Sequence, residues 1–75
     1  MAGRPKKRSL TIAGHHTSVS LEDDFWEALQ EMAQAKGLTV PRLIAKIDKG
    51  RGAHGLSSAI RSAVLAHFRS QSSEN

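Results

Sequence analysis

The chain contains no cysteine and no tyrosine, and its aromatic residues are limited to two phenylalanines and one tryptophan. Without cysteine, neither disulfide bonds nor a cysteine-ligated zinc site can stabilise the fold. A domain of 75 residues buries only about 60% of the surface that its unfolded chain exposes. Oligomerisation is therefore the remaining common route to stability for so small a core.

Long apolar runs are also missing. No stretch of the sequence approaches the roughly 20 apolar residues that a membrane-spanning helix needs. The basic residues near the N-terminus are not followed by the hydrophobic segment of a secretory signal. We therefore expect a cytoplasmic protein that does not associate with membranes, and the lack of cysteine fits a reducing compartment.

Acidic residues are absent from the first 21 positions and cluster instead between Glu22 and Glu31. The basic residues of the N-terminal segment are Arg4, Lys6, Lys7 and Arg8. Because Gly3 and Pro5 interrupt regular structure, residues 1–8 are predicted to form a flexible basic arm. Such an arm beside a small domain indicates a polyanionic partner, usually nucleic acid. A solubilising disordered terminus would have the same composition.

One short segment alternates clearly between polar and apolar residues. In Thr17–Leu21, Val19 and Leu21 are apolar while the intervening residues are small and polar, which is typical of a half-buried strand. Ser9–Ile12 alternates too, and it either extends the strand or forms an irregular lead-in, with Gly14 as an interruption. The sequence thus predicts a single short strand with no pairing partner in its own chain.

Two helices are predicted after the strand. The first begins near Leu21 or Glu22, where acidic residues complement the helix dipole, and ends before Gly37. Thr39 is a good N-cap for the second, and Pro41 is tolerated in its first turn. Their apolar faces repeat at helical spacing and consist of Phe25, Leu29, Met32 and Ala33, then Val40, Leu43, Ile44 and Ile47.

A glycine-rich basic loop, residues 49–55, separates the second helix from a third helix. Ser57 or Ser58 is expected to cap the third helix. Its apolar face consists of Ile60, Ala63, Val64 and Phe68. Residues 70–75 are polar and are predicted to be a disordered tail, so that the folded domain covers residues 9–69.

A lone strand leaves its backbone donors and acceptors unsatisfied, and the simplest closure is a second copy related by a two-fold axis. The resulting ribbon would direct Val19 and Leu21 into a helical core. Its other face would carry His16, Ser18 and Ser20. A two-stranded ribbon of this kind fits the major groove of B-DNA. A merely solvated strand face, or an N-capping role for Ser20, would explain the serines taken alone, but the basic arm and the dimer together favour contact with the groove.

The chain resembles the ribbon-helix-helix family of bacterial DNA-binding proteins. The resemblance rests on the TSVSL segment, the helix LEDDFWEALQEMAQAKG, and the turn from Gly37 to Thr39 that opens a helix with Leu43 and Ile44. GHHTSVSLEDDFW and LSSAIR are similar to a short bacterial subgroup. LSSAIRSA also resembles a second-helix start, but the distance from Leu21 to Gly37 favours the first register.

The resemblance covers residues 9–69 and implies a mainly α fold with one short β-strand. It implies an intertwined homodimer with a two-stranded antiparallel ribbon, and the third helix would be an addition at the C-terminus. The implied base contacts are His16, Ser18 and Ser20. The expected phosphate contacts are Thr39, Val40 and Arg42, with Arg4, Lys6, Lys7 and Arg8 of the arm. The expected dimer core is Val19, Leu21, Phe25, Trp26, Leu29, Leu43, Ile44 and Ile47.

Neither a metal site nor a cofactor is expected. His15 and His16 are adjacent and point to opposite faces of a strand, and the GRGAHG loop lacks the Lys-Ser/Thr of a phosphate-binding loop. Serine discriminates bases weakly, so specificity would also depend on His16, the arm and DNA shape.

The predicted function is that of a non-enzymatic, sequence-specific double-stranded DNA-binding protein. It would be a bacterial transcriptional regulator associated with the nucleoid, and higher-order assembly on DNA is left open. The alternative is a protein-binding module, such as the antitoxin of a toxin–antitoxin pair, because a third helix follows the minimal fold.

Overall fold

A computed structural model describes residues 4–52 and 55–72 of the protein, the side chain of residue 72 excepted. Parts of the predicted arm (residues 1–3), loop (residues 53–54) and tail (residues 73–75) lie outside the described residues. The elements are strands β1 (Lys6–Ile12) and β2 (His15–Leu21), followed by helices α1 (Asp23–Ala35), α2 (Val40–Gly50) and α3 (Leu56–Ser72).

The two strands form an antiparallel hairpin within one chain. Ile12 lies opposite His15, and the two residues between them, Ala13 and Gly14, have φ angles of 51° and 81°. Two consecutive positive φ angles are what a type I′ hairpin turn requires. The prediction of a single strand without a partner in its own chain is therefore wrong. Gly14 makes the turn that joins the two alternating segments.

The prediction of a flexible arm over residues 1–8 is wrong for the part that enters β1. Lys6 and Arg8 are paired with β2 and approach the start of α1, where both side chains contact the Asp23 carboxylate. The Arg8 guanidinium also lies 4.6 Å from the centroid of the Trp26 ring. Backbone pairing and these side-chain contacts together order a segment whose composition alone is typical of a terminus.

The hydrophobic core draws on both strands and all three helices. The largest fully buried side chains are Leu21, Leu29, Ile44, Ile60 and Val19. Of the residues expected in a dimer core, Val19, Leu21, Leu29, Leu43 and Ile44 are buried within the single chain, and Phe25, Trp26 and Ile47 pack partly buried against them. One chain thus buries five of these eight side chains without a second copy and leaves the other three partly exposed.

The three helices lie where the apolar spacing predicts them, with shifts at their ends. Thr39 is the N-cap of α2, and its side chain accepts a hydrogen bond from the Arg42 N–H. α3 begins at Leu56, before the serines that were expected to cap it, and the Ser57 hydroxyl accepts a hydrogen bond from the Ser20 N–H of β2. α3 also continues through residues 70–72, so the start of the predicted disordered tail is helical.

Candidate nucleic-acid interface

The hairpin has one face directed to the core and one directed to solvent. Side chains alternate across a strand, so Arg8, Leu10 and Ile12 turn inward with Val19 and Leu21, and all five are buried or half-buried. The outward face consists of three cross-strand pairs, Lys7 with Ser20, Ser9 with Ser18 and Thr11 with His16. All six residues are exposed, and we refer to them as the ribbon face.

The ribbon face contains the three predicted base-contact residues and three more that were not predicted to lie there. Lys7 was expected in a phosphate-binding arm, and Ser9 and Thr11 had no functional role. The alternation of polar and apolar residues in β1 indicates their position. Once Ile12 and Leu10 turn inward, Thr11, Ser9 and Lys7 must turn outward.

The ribbon face consists of side chains that form hydrogen bonds, and one of them, Lys7, is a cation. The Thr11 Oγ1 and the His16 Nδ1 lie 3.3 Å apart, so the two side chains are held together at the end of the ribbon near the turn. Serine and threonine hydroxyls donate and accept hydrogen bonds, and a lysine can donate to the guanine O6 and N7. Two strands about 4.8 Å apart fit within a major groove about 12 Å wide.

Lys6 and Arg8 are directed away from the ribbon face and are bound to α1. The Asp23 carboxylate uses one oxygen for each cation, at 3.2 Å from the Lys6 Nζ and at 2.8 Å from the Arg8 Nη2. The Arg8 side chain is only 23% exposed, and its Nε is buried without a hydrogen-bond partner. Lys6 remains 63% exposed despite its ion pair, and Arg4 and Lys7 are exposed as well, so Arg8 is the least accessible cation of this segment.

The far end of β2 is fixed by α3. The Ser57 hydroxyl accepts a hydrogen bond from the Ser20 N–H at 2.9 Å, and the Arg61 Nη2 donates to the Ser20 carbonyl oxygen at 3.0 Å. The Arg61 Nε also donates to the Glu22 Oε1 at 3.1 Å. The pKa of the Glu22 carboxyl is lowered, chiefly by a hydrogen bond from its own backbone N–H and further by the hydrogen bond and charge of Arg61. Both backbone groups of Ser20 are thus occupied, which orients its side chain on the ribbon face.

The start of α2 holds the other predicted phosphate contacts, Thr39, Val40 and Arg42. The Thr39 hydroxyl already accepts the Arg42 N–H at 3.3 Å, and Pro41 has no N–H. The Val40 N–H therefore remains as a first-turn donor that the helix itself does not satisfy. Together with the exposed side chain of Arg42, it forms a small site at the positive end of the helix dipole that can bind an anion.

In the described ranges 4–52 and 55–72, no group of three or more histidine, cysteine or acidic side chains could hold a metal ion. None of the helices found there is long and apolar enough to cross a membrane.

Comparison with known proteins gives a family. No curated protein and no solved structure matches the chain significantly. A family model described as a ribbon-helix-helix domain matches residues 5–68, and thus both the hairpin and most of α3. This family has a non-enzymatic fold, and its members are generally DNA-binding transcription regulators or antitoxins. The resemblance noted in the sequence is confirmed: the chain belongs to the ribbon-helix-helix domain family.

Proposed function

We propose that the protein is a sequence-specific double-stranded DNA-binding transcriptional regulator of a bacterium, which inserts its β-ribbon into the major groove. The observation that supports this proposal is the ribbon face. It presents six exposed polar side chains, with no acidic and no large apolar residue, on two paired strands. An acid would repel the phosphates at the groove edges, and a large apolar residue would favour burial against protein instead.

The proposal assigns base contacts to both strands. His16, Ser18 and Ser20 contact base edges from β2, and Lys7 lies opposite Ser20 on β1. Lysine is the residue type among these that best distinguishes guanine, whereas serine can bond to several bases. We therefore assign the strongest base discrimination to Lys7.

Phosphate contacts surround the ribbon in this proposal. Arg4 and the start of α2, with Thr39, Val40 and Arg42, supply donors or positive charge to the backbone. Lys6 and Arg8 both pair with the carboxylate of Asp23 on α1. They act chiefly by holding β1 against the helix, which positions the ribbon face.

We also propose a homodimer, since members of the family typically dimerise. The argument for a dimer from an unpaired strand does not apply, because β1 pairs with β2 within the chain. Backbone groups of alternate residues point to the outer edge of an antiparallel strand. On β2 these belong to His16, Ser18 and Ser20, and α3 already binds those of Ser20. Addition of a strand at the His16 and Ser18 edge would make a four-stranded sheet, which is wider than the major groove, so we do not place the dimer contact there.

The alternative function as an antitoxin has no specific support in the fold. It was suggested by the helix beyond the minimal domain. In the structure, Ile60 and Val64 of that helix are buried in the core, and Ser57 and Arg61 bind the end of β2. α3 thus completes the domain.

The test is selection of preferred sites from random duplexes, followed by binding measurements with the Ser18→Ala/Ser20→Ala variant and with Lys7→Ala. Both variants should lose preference for the selected site over a scrambled duplex, Lys7→Ala by about 10-fold or more. Gln30→Ala/Gln34→Ala, which removes two exposed polar side chains of α1, is the control. If the ribbon variants retained the preference of the natural chain, the groove assignment would be wrong.

A further inference from the structure

The exposed side of α2 carries a row of three cations, Arg42, Lys46 and Lys49, which we call the basic stripe. All three residues are exposed. With about 100° of rotation per residue, they fall within an arc of about 60° on the helix. Leu43 and Ile44, on the opposite side, are buried in the core. The stripe is therefore a continuous positive face that the fold directs to solvent.

Neither α2 nor α3 places an acidic side chain within the arc of the basic stripe. The one acidic residue of α2, Asp48, lies outside the arc and pairs with the Arg51 Nε at 2.5 Å. The neighbouring helix α3 contains no acidic residue. The stripe thus has no acid of α2 or α3 within its arc to neutralise it.

Hydroxyl groups lie beside the stripe, in a shallow cleft of about 400 Å³ between α2 and α3. Lys46 lines one side of this cleft, and Ser58 and Ser62 line the other. Both serines are exposed. A row of cations with hydroxyl donors alongside is the donor set that binds phosphodiester oxygens.

The length of the stripe matches the spacing of phosphates on a duplex. From Arg42 to Lys49 the helix rises about 10.5 Å. Over that distance one strand of B-DNA presents about three phosphates along the axis. Because the strand also winds around that axis, the stripe is long enough for its flexible side chains to meet two or three phosphates.

We propose that Lys46 and Lys49 extend the phosphate contact of Arg42 along α2, so that the basic stripe is a second duplex-binding surface beside the ribbon face. The proposal rests on the proposed function for the identity of its partner. It differs in mechanism, because the stripe contacts phosphates alone and is indifferent to base sequence. The protein then has one surface that selects a sequence and another that supplies affinity for any duplex.

A second copy of the chain is the other candidate partner, since α1 carries exposed acids. Exposed ion pairs between proteins contribute little and are screened by salt. Contacts with DNA phosphates release condensed counterions, which makes the same three cations far more effective toward a duplex. The charges therefore favour DNA.

The test compares Lys46→Ala/Lys49→Ala with the control Lys36→Ala/Arg69→Ala, which removes the same charge from exposed positions on α1's C-terminal end and on α3. Binding to a 30-base-pair scrambled duplex is measured by fluorescence anisotropy over a range of salt. Two lost phosphate contacts should reduce the slope of log affinity against log salt by about 1.8. The control should retain the slope of the natural chain.

The outcomes separate this proposal from the ribbon. Equal slopes for the two double variants would overturn the stripe, even if preference for a selected site persisted. Loss of slope in a protein that shows no site preference would support the stripe and count against the ribbon. If the Lys46/Lys49 variant kept its slope but reduced self-association in sedimentation without DNA, the stripe would be a protein contact instead.

Discussion

The outer faces of α1 and α2 have the same geometry and opposite charge. On α1 the exposed acids are Asp24, Glu27 and Glu31, which occupy an arc of about 60°. On α2 the basic stripe occupies an arc of the same width. The net charge of +4 is therefore unevenly distributed. In the proposed complex with a duplex, the phosphates attract the outer face of α2 and repel that of α1.

The acidic residues at the start of α1 differ in whether they form ion pairs. Asp23 binds Lys6 and Arg8 of β1, and the preceding Glu22 binds Arg61 of α3. Asp24, one residue further on, is exposed. The first turn of α1 thus joins the ribbon to the helices, whereas Asp24, Glu27 and Glu31 leave their charge exposed to solvent.

The largest effect is expected when the outer face of α1 is made as basic as that of α2. We expect Glu27→Lys/Glu31→Lys to raise affinity for a scrambled duplex by about 10-fold at low salt, because two further cations face solvent. The selected site should then be less preferred over scrambled DNA. Glu27→Gln/Glu31→Gln is the control for loss of negative charge alone, and it should give a smaller increase. Unchanged affinity in the lysine variant would contradict the repulsion between α1 and the phosphates.

A smaller effect should separate two neighbouring acids of α1. Asp23→Asn is expected to lower the free energy of unfolding by about 1 kcal/mol, because it leaves the partly buried Arg8 without its ion pair. Asp24→Asn is the matched control, since it removes a similar contribution to the helix dipole from an exposed position. Urea unfolding at neutral pH measures both. Equal destabilisation would mean that the link from Asp23 to β1 adds nothing beyond the dipole.

The smallest effect concerns the pKa of Glu22, which is lowered from its ordinary value of 4.5. Its ionised form is favoured in the folded state, so it stabilises the protein above pH 4.5. That contribution is lost as the pH falls through the lower pKa of the folded state. Urea unfolding from pH 7 down to pH 3 should show a shallower pH dependence for Glu22→Gln than for the control Glu27→Gln. Identical profiles would contradict the shift.

The helices could be predicted from the sequence because their signals are local. Apolar residues such as Leu29, Leu43 and Ile60 recur at helical spacing, and Thr39 supplies an N-cap directly before α2. The hairpin was missed because Ala13-Gly14 is a less typical turn than Asn-Gly, and Ala13 adopts a positive φ that few alanines adopt.

The residues of the ribbon face could be predicted only in part from the sequence. Alternation identified His16, Ser18 and Ser20, but Lys7 could join them only once β1 was known to be a strand. The bonds from Ser57 and Arg61 to Ser20 connect residues 37 and 41 positions apart. No periodic pattern in a single sequence reveals contacts over such separations.

Those two bonds have a consequence for the order in which the protein folds. The hairpin closes over a two-residue turn, whereas its end is fixed by residues far along the chain. Local contacts form faster than distant ones because less loop entropy is lost. During synthesis, the two strands can therefore pair before α3 has been made. The β2 edge at Ser20 then remains open to other strands, a hazard of unprotected edges, until Arg61 has left the ribosome and α3 docks.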